Sequence, residues 1–189
     1  MKRCGWCEGD SLYENYHDNE WGVPLYDDKK LFEFLVLESF QAGLSWITVL
    51  RKREHFRAAF DDFDATKIAN YTENKTKELL KNENIIRHQK KIEATINNAK
   101  IFLAIQKEFT SFSNYLWAFV NHTPINSNIT DYKKAPNKTP LSNQLCKDLK
   151  KRGIKFMGAT TTYAFMQATG MVNDHEVSCF KHQKLIKVN

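Results

Sequence analysis

The sequence predicts an all-α protein, and three observations favour that fold class. Glycine and proline are scarce, with seven Gly and four Pro in 189 residues, which disfavours an all-β chain with many tight turns. Apolar residues recur at helical spacing along most of the chain. Capping residues and glycines stand at the ends of these segments. The length suits one domain, or one domain with a small appendage, that contains a real hydrophobic core.

The first third of the chain contains two predicted helices of ordinary length. Residues 1–27 are polar and aromatic without a clear period, so we expect them to be irregular. A helix is predicted over Asp28–Ala42, where apolar residues form a broad surface, and Gly43 ends it. Ser45 is the expected N-cap of a second helix over Trp46–Phe60.

The middle of the chain predicts two helices joined by a short hairpin. Asp64 and Thr72 are the expected caps of two short helices that end near Lys81. A polar turn follows at residues 82–84. From Gln89 to Lys107, apolar residues fall again at helical spacing.

The last third is predicted to contain three helices around a polar loop. The first of these helices covers Phe112–Val120. The second is marked by Leu141, Leu145 and Leu149 and is closed by Gly153. The third covers Ala159–Thr169 and stops at Gly170. The loop over residues 121–140 holds three of the four prolines.

The charge balance suggests a polyanionic partner. Lys and Arg number 28 against 22 Asp and Glu, giving a formal charge of +6, which suits nucleic acid or a membrane surface. The alternative is a basic protein with no such partner. No apolar run reaches the roughly 18 residues that span a bilayer, and the first residues lack the apolar segment of a secretory signal. We therefore expect a cytoplasmic protein whose cysteines are reduced and available to a metal.

Residues that bind metals stand at both ends of the chain. They are Cys4, Cys7 and His17 near the start, and His175, Cys179 and His182 near the end. Two thiolates and two imidazoles in a tetrahedron are the ligands that structural zinc prefers, and such a site would tether two weakly structured termini. The alternative is a set of unrelated cysteines and solvated histidines. Cys146 stands alone and is expected to be a packed or surface thiol.

Glu38 is the most unusual residue of the chain, because it follows the apolar run Leu35–Leu37. We expect its carboxylate at the edge of an apolar helical face, where it loses hydration and needs a donor or a cation; an ordinary surface ion pair is the alternative. Gln41 and Trp46 follow across the break at Gly43. An indole beside a desolvated carboxylate suits a flat cationic aromatic ligand such as an alkylated purine, although a helical Trp is more commonly a core residue.

The chain resembles the bacterial DNA-3-methyladenine glycosylase I family of the helix-hairpin-helix glycosylase superfamily. The matching segments are Arg3-Cys4-Gly5-Trp6, Tyr16-His17-Asp18-Asn19-Glu20-Trp21-Gly22, Leu37-Glu38, Gln41-Ala42-Gly43-Leu44-Ser45-Trp46, Phe119-Val120-Asn121, Lys150-Lys151-Arg152-Gly153, Met166-Gln167-Ala168 and Val172-Asn173-Asp174-His175. The resemblance implies a monofunctional N-glycosylase of base excision repair. Such an enzyme flips 3-methyladenine out of double-stranded alkylated DNA and excises it by hydrolysis, leaving an abasic site. No membrane partner and a monomeric state are expected.

The resemblance also implies roles for individual residues. A structural zinc ion is assigned to Cys4, His17, His175 and Cys179, which leaves Cys7 and His182 spare. Glu38, the expected catalytic residue, and Tyr16 are implied to contact the edge of the base while Trp46 stacks on it, and Trp6 and Tyr13 help to line the pocket. Two departures from the family pattern stand out: Asn84 and Lys90 occupy the hairpin where glycine is expected, and Phe40 replaces a small or polar residue near the pocket.

The hairpin is the expected DNA contact. Residues 84–90 can present backbone N–H groups and a helix N-terminus to phosphates, with charge added by Arg87, Lys90 and Lys91. The sequence shows no lysine placed for a Schiff base. No aspartate stands out as a catalytic carboxylate, and Glu93 is predicted to be on the solvated helix surface.

The predicted organisation is a single unit over 1–189, and two other function classes remain open. A helical domain is expected over 28–120, with the helix-hairpin-helix at 73–107, against which a zinc-stabilised lobe of 1–27 and 121–189 packs. One alternative is a zinc-stabilised nucleic-acid-binding module without catalysis, which leaves Glu38 beside Trp46 unexplained. The other is a zinc hydrolase, which needs an open coordination position that four protein ligands do not leave.

Overall fold

Helices make up most of the protein, as the sequence predicts, and the computed structural model describes residues 1–186. The helices of this part are α1 (Ser11–Asn19), α2 (Asp28–Gln41), α3 (Trp46–Arg51), α4 (Arg53–Ala59), α5 (Ala65–Ala69), α6 (Glu73–Lys81), α7 (Gln89–Phe109), α8 (Phe112–Ala118), α9 (Pro140–Lys151), α10 (Ala159–Ala168) and α11 (Phe180–Ile186). Two-residue strands β1 (Ile125–Asn126) and β2 (Val172–Asn173) pair in parallel. Within the described residues, no helix is long and apolar enough to cross a membrane.

Helix α2 is the central element of the fold, and hydrogen bonds at its N-terminus fix its position relative to α8. The Asp27 side chain accepts a hydrogen bond from Lys30 N and caps the helix. The next carboxylate, that of Asp28, accepts hydrogen bonds of 2.8 Å from the backbone N–H groups of Phe112 and Ser113 at the start of α8. The N-termini of the two helices are thereby tied together.

Large aromatic side chains fill the core around α2. The rings of Phe32 and Phe102 lie 4.8 Å apart between α2 and α7, and those of Phe102 and Phe112 lie 4.5 Å apart. Phe40 packs against Phe56, also at 4.8 Å. These four helices therefore share one apolar interior, in which α2 contributes ten consecutive buried residues.

The sequence analysis does not predict helix α11, and two further predictions are wrong. The first 27 residues are not irregular throughout, because Asp10 accepts hydrogen bonds from Leu12 N and Tyr13 N and caps helix α1. The segment Trp46–Phe60 is two helices, since the backbone at Lys52 leaves the regular helical conformation. The expected caps Asp64 and Thr72 do accept backbone hydrogen bonds.

The two ends of the chain meet beside α10. Backbone groups of Gly22 and Leu25 donate hydrogen bonds to the carbonyl oxygens of Gln167 and Thr169 at the end of α10. Gly170 follows with φ +72°, and a Cβ atom there would lie 2.4 Å from the backbone of residues 23 and 24. Only glycine allows this approach, which brings the N-terminal segment against the C-terminal one.

Candidate active site

Glu38 lies deeper in the protein than the sequence predicts. Its position was expected at the edge of an apolar face, but α2 is buried on all sides from Leu31 to Phe40. The Glu38 side chain is 2% exposed, and no ion pair reaches it from any residue that the structure describes. The alternative of a surface ion pair is therefore wrong.

Burial sets the protonation of Glu38. Removing the carboxylate from water raises its pKa from 4.5 to about 8. Its Oε2 atom is buried without a hydrogen-bond partner among the described residues. A carboxyl group of this kind is neutral at pH 7, and it gains strongly from a cationic or hydrogen-bonding ligand.

Aromatic rings surround this carboxyl group. Trp46 begins α3 and is 7% exposed, with its ring centroid 5.4 Å from that of Tyr16 and 6.3 Å from that of Phe34. The indole Nε1 is buried and has no partner within residues 1–186. Burial, with Glu38 nearby, raises the pKa of Tyr16 well above its usual value, so that its phenol keeps its proton.

These side chains line one cavity of about 220 Å³. Its lining comprises Trp6, Tyr13, Tyr16, Trp21, Glu38, Gln41, Trp46, Tyr132, Ala135, Ala164, Gln167 and Asp174. Trp6 meets Tyr13 and Trp21 edge to face, at 4.8 and 5.0 Å. The volume is below the roughly 300 Å³ at which pockets for drug-sized ligands begin, and it suits a single flat base. All five pocket residues that the resemblance implies, three that contact the base and two that help to line the pocket, lie here.

Phe40 does not shape this cavity, contrary to the sequence expectation. Its ring is fully buried and contacts Phe56 and Phe60 in the core. Phe40 stands two positions after Glu38, and this spacing turns the two side chains to different sides of α2.

A second cluster brings both ends of the chain together. The Nδ1 atom of His175 lies 3.2 Å from His17 Nε2, 3.6 Å from Cys4 Sγ and 3.8 Å from Cys179 Sγ. Cys179 Sγ lies 3.5 Å from His17 Nε2. Bonds of about 2.0 Å to nitrogen and 2.3 Å to sulfur give a tetrahedron with edges of roughly 3.3 to 3.8 Å. The cluster can therefore hold a metal ion with little rearrangement.

The surroundings orient the two histidines of this cluster as a metal site requires. Asp18 Oδ1 lies 2.8 Å from His17 Nδ1, and Arg3 donates to the same carboxylate. The carbonyl oxygen of Trp21 lies 3.0 Å from His175 Nε2. Each histidine thus has an acceptor for its second nitrogen, which points the first toward the cluster. Burial lowers the pKa of His175, which favours the neutral imidazole that binds metals.

The remaining metal-type residues lie outside the cluster. Cys7 donates a hydrogen bond from Sγ to the carbonyl oxygen of Cys4, and burial raises its pKa to about 12. His182 Nδ1 pairs with the carbonyl oxygen of His175 at 3.0 Å. Cys146 donates to the carbonyl oxygen of Met157. None of the three belongs to the group of four that faces a common centre.

The hairpin between α6 and α7 is built without glycine. Asn82 Oδ1 accepts from Asn84 N at 3.0 Å, and Lys52 Nζ donates to the carbonyl oxygen of Asn84 at 3.0 Å. Among the described residues, none of the positions 82–90 has a positive φ, which explains how Asn84 and Lys90 fit there. Arg87 and Lys90 are exposed on this hairpin, Arg87 3.6 Å from the Glu83 carboxylate.

Lys91 is not exposed beside Arg87 and Lys90, contrary to the sequence expectation that it contacts DNA. Its side chain is buried, and Nζ donates 2.8 Å hydrogen bonds to the carbonyl oxygens of Phe40 and Ala42. Those carbonyls end α2 and have no partner within the helix. Lys91 therefore connects the start of α7 to the segment that joins Glu38 with Trp46.

Sequence reasoning missed two polar residues of the cavity. Gln167 Nε2 donates a 2.7 Å hydrogen bond to Asp174 Oδ2, and both side chains line the cavity beside Ala164. The strings that contain them are among the quoted motifs, but nothing local in the sequence shows that α10 and β2 face α2. Glu93, by contrast, is on the exposed surface as predicted.

Comparisons with known proteins find one family model, together with related proteins and solved structures, that match most of this chain. A family model described as methyladenine glycosylase matches residues 6–182. DNA-3-methyladenine glycosylase 1 of Escherichia coli (strain K12) is 51% identical over 179 residues, covering 95% of this chain and 96% of that protein. A structure of 3-methyladenine DNA glycosylase I from Staphylococcus aureus matches with TM-score 0.92 and 40% identity, covering 96% of this chain and 97% of that one. A crystal structure of a variant 3-methyladenine DNA glycosylase I in complex with 3-methyladenine matches with TM-score 0.93 and 40% identity, covering 96% and 98%.

Proposed function

The chain belongs to the methyladenine glycosylase family, and on that premise we propose that it excises 3-methyladenine from alkylated DNA. The reaction is hydrolysis of the N-glycosidic bond in base excision repair, and it leaves an abasic site. The observation that carries the proposal is the buried Glu38 carboxyl group, which shares a base-sized cavity with Trp46 and Tyr16.

Glu38 supports selection of a damaged base by charge. Its pKa of about 8 keeps the Glu38 carboxyl group neutral in the empty pocket at pH 7. A 3-alkylated purine nucleotide is cationic, so its arrival favours the ionised carboxylate, and the two charges attract in a site that excludes water. An undamaged purine is neutral and offers no such compensation for a buried carboxylate. Discrimination thus arises from the charge that the lesion itself carries.

The aromatic walls support binding of a flat ring. Trp46 and Tyr16 present faces beside Glu38, and Trp6 and Tyr13 close the cavity from the N-terminal segment. Stacking a cationic base on an indole adds a cation–π attraction to the apolar contact. The Trp46 Nε1 and Glu38 Oε2 atoms have no hydrogen-bond partner among the described residues, so both are available to hydrogen-bond the edge of the base.

The target nucleotide has to leave the duplex before it reaches this cavity, at a cost of a few kcal/mol. The exposed Arg87 and Lys90, at the hairpin and the start of α7, are placed to bind phosphates. Leu44 lies on the loop between Gln41 and Trp46 and is 43% exposed. An exposed apolar side chain on a loop between two cavity residues is suited to fill the gap that a flipped base leaves in the stack.

The chemistry needs little acid catalysis. The alkylated base carries a positive charge, so the glycosidic bond is already weakened and the base departs as a neutral molecule. The pocket can therefore act by favouring the charge distribution of the transition state. No lysine lines the cavity in the described part of the chain, which supports hydrolysis without a Schiff-base or lyase step.

Zinc is the metal that best fits the cluster of Cys4, His17, His175 and Cys179, because two thiolates and two imidazoles at tetrahedral spacing match its preference. Bound there, zinc would supply structural cross-linking of the two ends of the chain. Four protein ligands leave no position for a reactive water, which argues against the zinc hydrolase alternative. His175 is adjacent to Asp174, so the cluster also supports one wall of the base cavity.

The proposed function is tested by abasic-site formation. Duplex DNA containing 3-methyladenine is incubated with the protein and then treated with alkali, which cleaves abasic sites. We expect strand cleavage in alkylated DNA and none in the unmodified duplex. Binding of both duplexes without abasic sites would instead support the alternative of a nucleic-acid-binding module without catalysis.

A further inference from the structure

Asp174 is a second carboxylate in the base cavity, and the base recognition proposed above assigns it no role. It directly follows β2 and is 4% exposed, and it lines the same cavity as Glu38 and Trp46. The two carboxylates come from opposite ends of the chain. Glu38 stands on the wall formed by α2, whereas Asp174 stands with Gln167 and Ala164 on the wall formed by α10 and β2.

One carboxylate oxygen of Asp174 accepts hydrogen bonds, and the other has no hydrogen-bond partner among the described residues. Oδ2 accepts 2.7 Å hydrogen bonds from the Tyr163 hydroxyl and from Gln167 Nε2. Burial and the Asp174 carboxylate raise the pKa of Tyr163, so that its hydroxyl remains a donor. Oδ1 is buried and has no hydrogen-bond partner anywhere in residues 1–186. A buried acceptor of this kind calls for a ligand.

The backbone on either side fixes the direction of this carboxylate. Val172 and Asn173 pair with β1 in parallel register, and Asn173 Oδ1 accepts a hydrogen bond from His175 N. His175 in turn belongs to the cluster that can hold a metal. The backbone of Asp174 is thus fixed by hydrogen bonds of the residues on either side, and its carboxylate is fixed by two hydrogen-bond donors. A fixed acceptor at a reaction site acts without reorganisation during the reaction.

We infer that Asp174 is a catalytic residue of the glycosylase reaction, whose Oδ1 atom binds and orients the attacking water. The inference rests on the proposed function. Glu38, Tyr16 and Trp46 occupy the part of the cavity that reads the base, and Glu38 is protonated in the empty site. Oδ1 of Asp174 remains as the free carboxylate acceptor for the water and for the positive charge that develops on the sugar.

The step balances with water as the only co-reactant. The bond between C1′ of the sugar and N9 of the base breaks, and its electron pair moves to the base and cancels the positive charge of the lesion. The water oxygen, oriented by Asp174 Oδ1, forms a bond to C1′, and its proton is released to solvent. The products are neutral 3-methyladenine, an abasic sugar with a hydroxyl at C1′, and one proton.

The first test separates base binding from chemistry in the Asp174→Asn variant. Affinity for free 3-methyladenine is measured by the change in tryptophan fluorescence, and excision is measured under single-turnover conditions. We expect unchanged affinity and an excision rate lower by about 100-fold, because the attacking water loses the group that orients it. Metal content and the unfolding transition establish that the variant is folded. A folded variant with the wild-type excision rate, or with affinity lost in proportion to rate, would overturn the inference.

The second test asks whether an external carboxylate replaces the missing one. Asp174→Ala leaves space at Oδ1, and added formate is expected to restore part of its excision rate while leaving Glu38→Gln unaffected. No restoration in folded Asp174→Ala would contradict the inference.

A third variant serves if neither Asp174 variant folds. The double variant Tyr163→Phe/Gln167→Met removes both hydrogen-bond donors to the Asp174 carboxylate, and we expect it to lose excision while it keeps its affinity for the base. An unchanged excision rate would again contradict the inference. Wild-type protein that releases no 3-methyladenine would instead refute the proposed function.

Discussion

The ammonium group of Lys91 lies 2.8 Å from the carbonyl oxygen of Phe40, at the end of the helix that carries Glu38. A second hydrogen bond of the same length runs to Ala42. The positive charge stands where the partial negative charge of the helix C-terminus is greatest. The hairpin that precedes α7 and the cavity that Glu38 lines are therefore connected through one buried side chain.

Replacing Lys91 by Met is expected to destabilise the protein by about 2 kcal/mol, because hydrogen bonds from a charged donor contribute roughly 1.5 to 3 kcal/mol and the carbonyl groups lose their partner. Urea unfolding measures the change. Lys90→Met is the matched control, since that neighbour is exposed, and its stability should stay within about 0.5 kcal/mol of the wild type. Equal stability of the two variants would refute the capping role of Lys91.

Arg87 and Lys90 are expected to act on DNA affinity and not on stability. Each phosphate contact releases counterions, so removing one side chain lowers the slope of log affinity against log salt by about 0.9. Binding of Arg87→Ala and Lys90→Ala to an undamaged duplex is measured across a range of salt concentrations. Slopes identical to the wild type would remove the hairpin from the DNA interface.

Metal content distinguishes the two neighbouring cysteines at the start of the chain. Cys4→Ser is expected to lose bound zinc and to unfold at lower temperature, because Cys4 Sγ is 3.6 Å from His175 Nδ1. Cys7→Ser should retain one zinc per chain, since the Cys7 thiol points to a backbone oxygen instead. Elemental analysis and thermal unfolding of both variants provide the measurement. Loss of zinc in Cys7→Ser with retention in Cys4→Ser would show that the ligand set is wrong.

Glu38 is expected to make stability depend on pH. Its pKa is about 8 in the folded protein against an ordinary value of 4.5, so between these values the folded state binds the additional proton. Stability relative to Glu38→Gln should therefore fall as pH rises from about 4.5 to 8, by up to about 1.4 kcal/mol per pH unit, and be level outside that window. Urea unfolding of both proteins at pH 5, 6.5 and 8 tests this. Parallel pH profiles would mean that the carboxylate is solvated.

The sequence predicted most helices because caps and apolar spacing are local signals. Asp27 precedes a helix found at Asp28–Gln41, within one residue of the predicted end. Helix α1 was missed, since its aromatic and polar residues show no simple stripe and only the Asp10 cap marks it. The break at Lys52 has no glycine or proline to reveal it.

Tertiary contacts decided which site residues the sequence could and could not predict. The cavity residues Glu38 and Trp46 are close in the chain, so their proximity could be inferred from the intervening Gly43. Lys91 belongs to a basic run that resembles solvated surface, and its burial depends on where α2 ends. Asp174 and Glu38 line one cavity because α10 packs against α2, and no local pattern in the sequence predicts this packing.

The central claim is that the buried Glu38 carboxyl group recognises a cationic base. Release of 3-methyladenine by the Glu38→Gln variant tests this claim most directly. Free base released from methylated DNA is compared among the wild type, Glu38→Gln and the exposed control Glu93→Gln. We expect a rate at least about 100-fold lower for Glu38→Gln, as for loss of a preorganised electrostatic group, with metal content and fold retained and Glu93→Gln unchanged. Wild-type release by a folded Glu38→Gln protein would contradict the account.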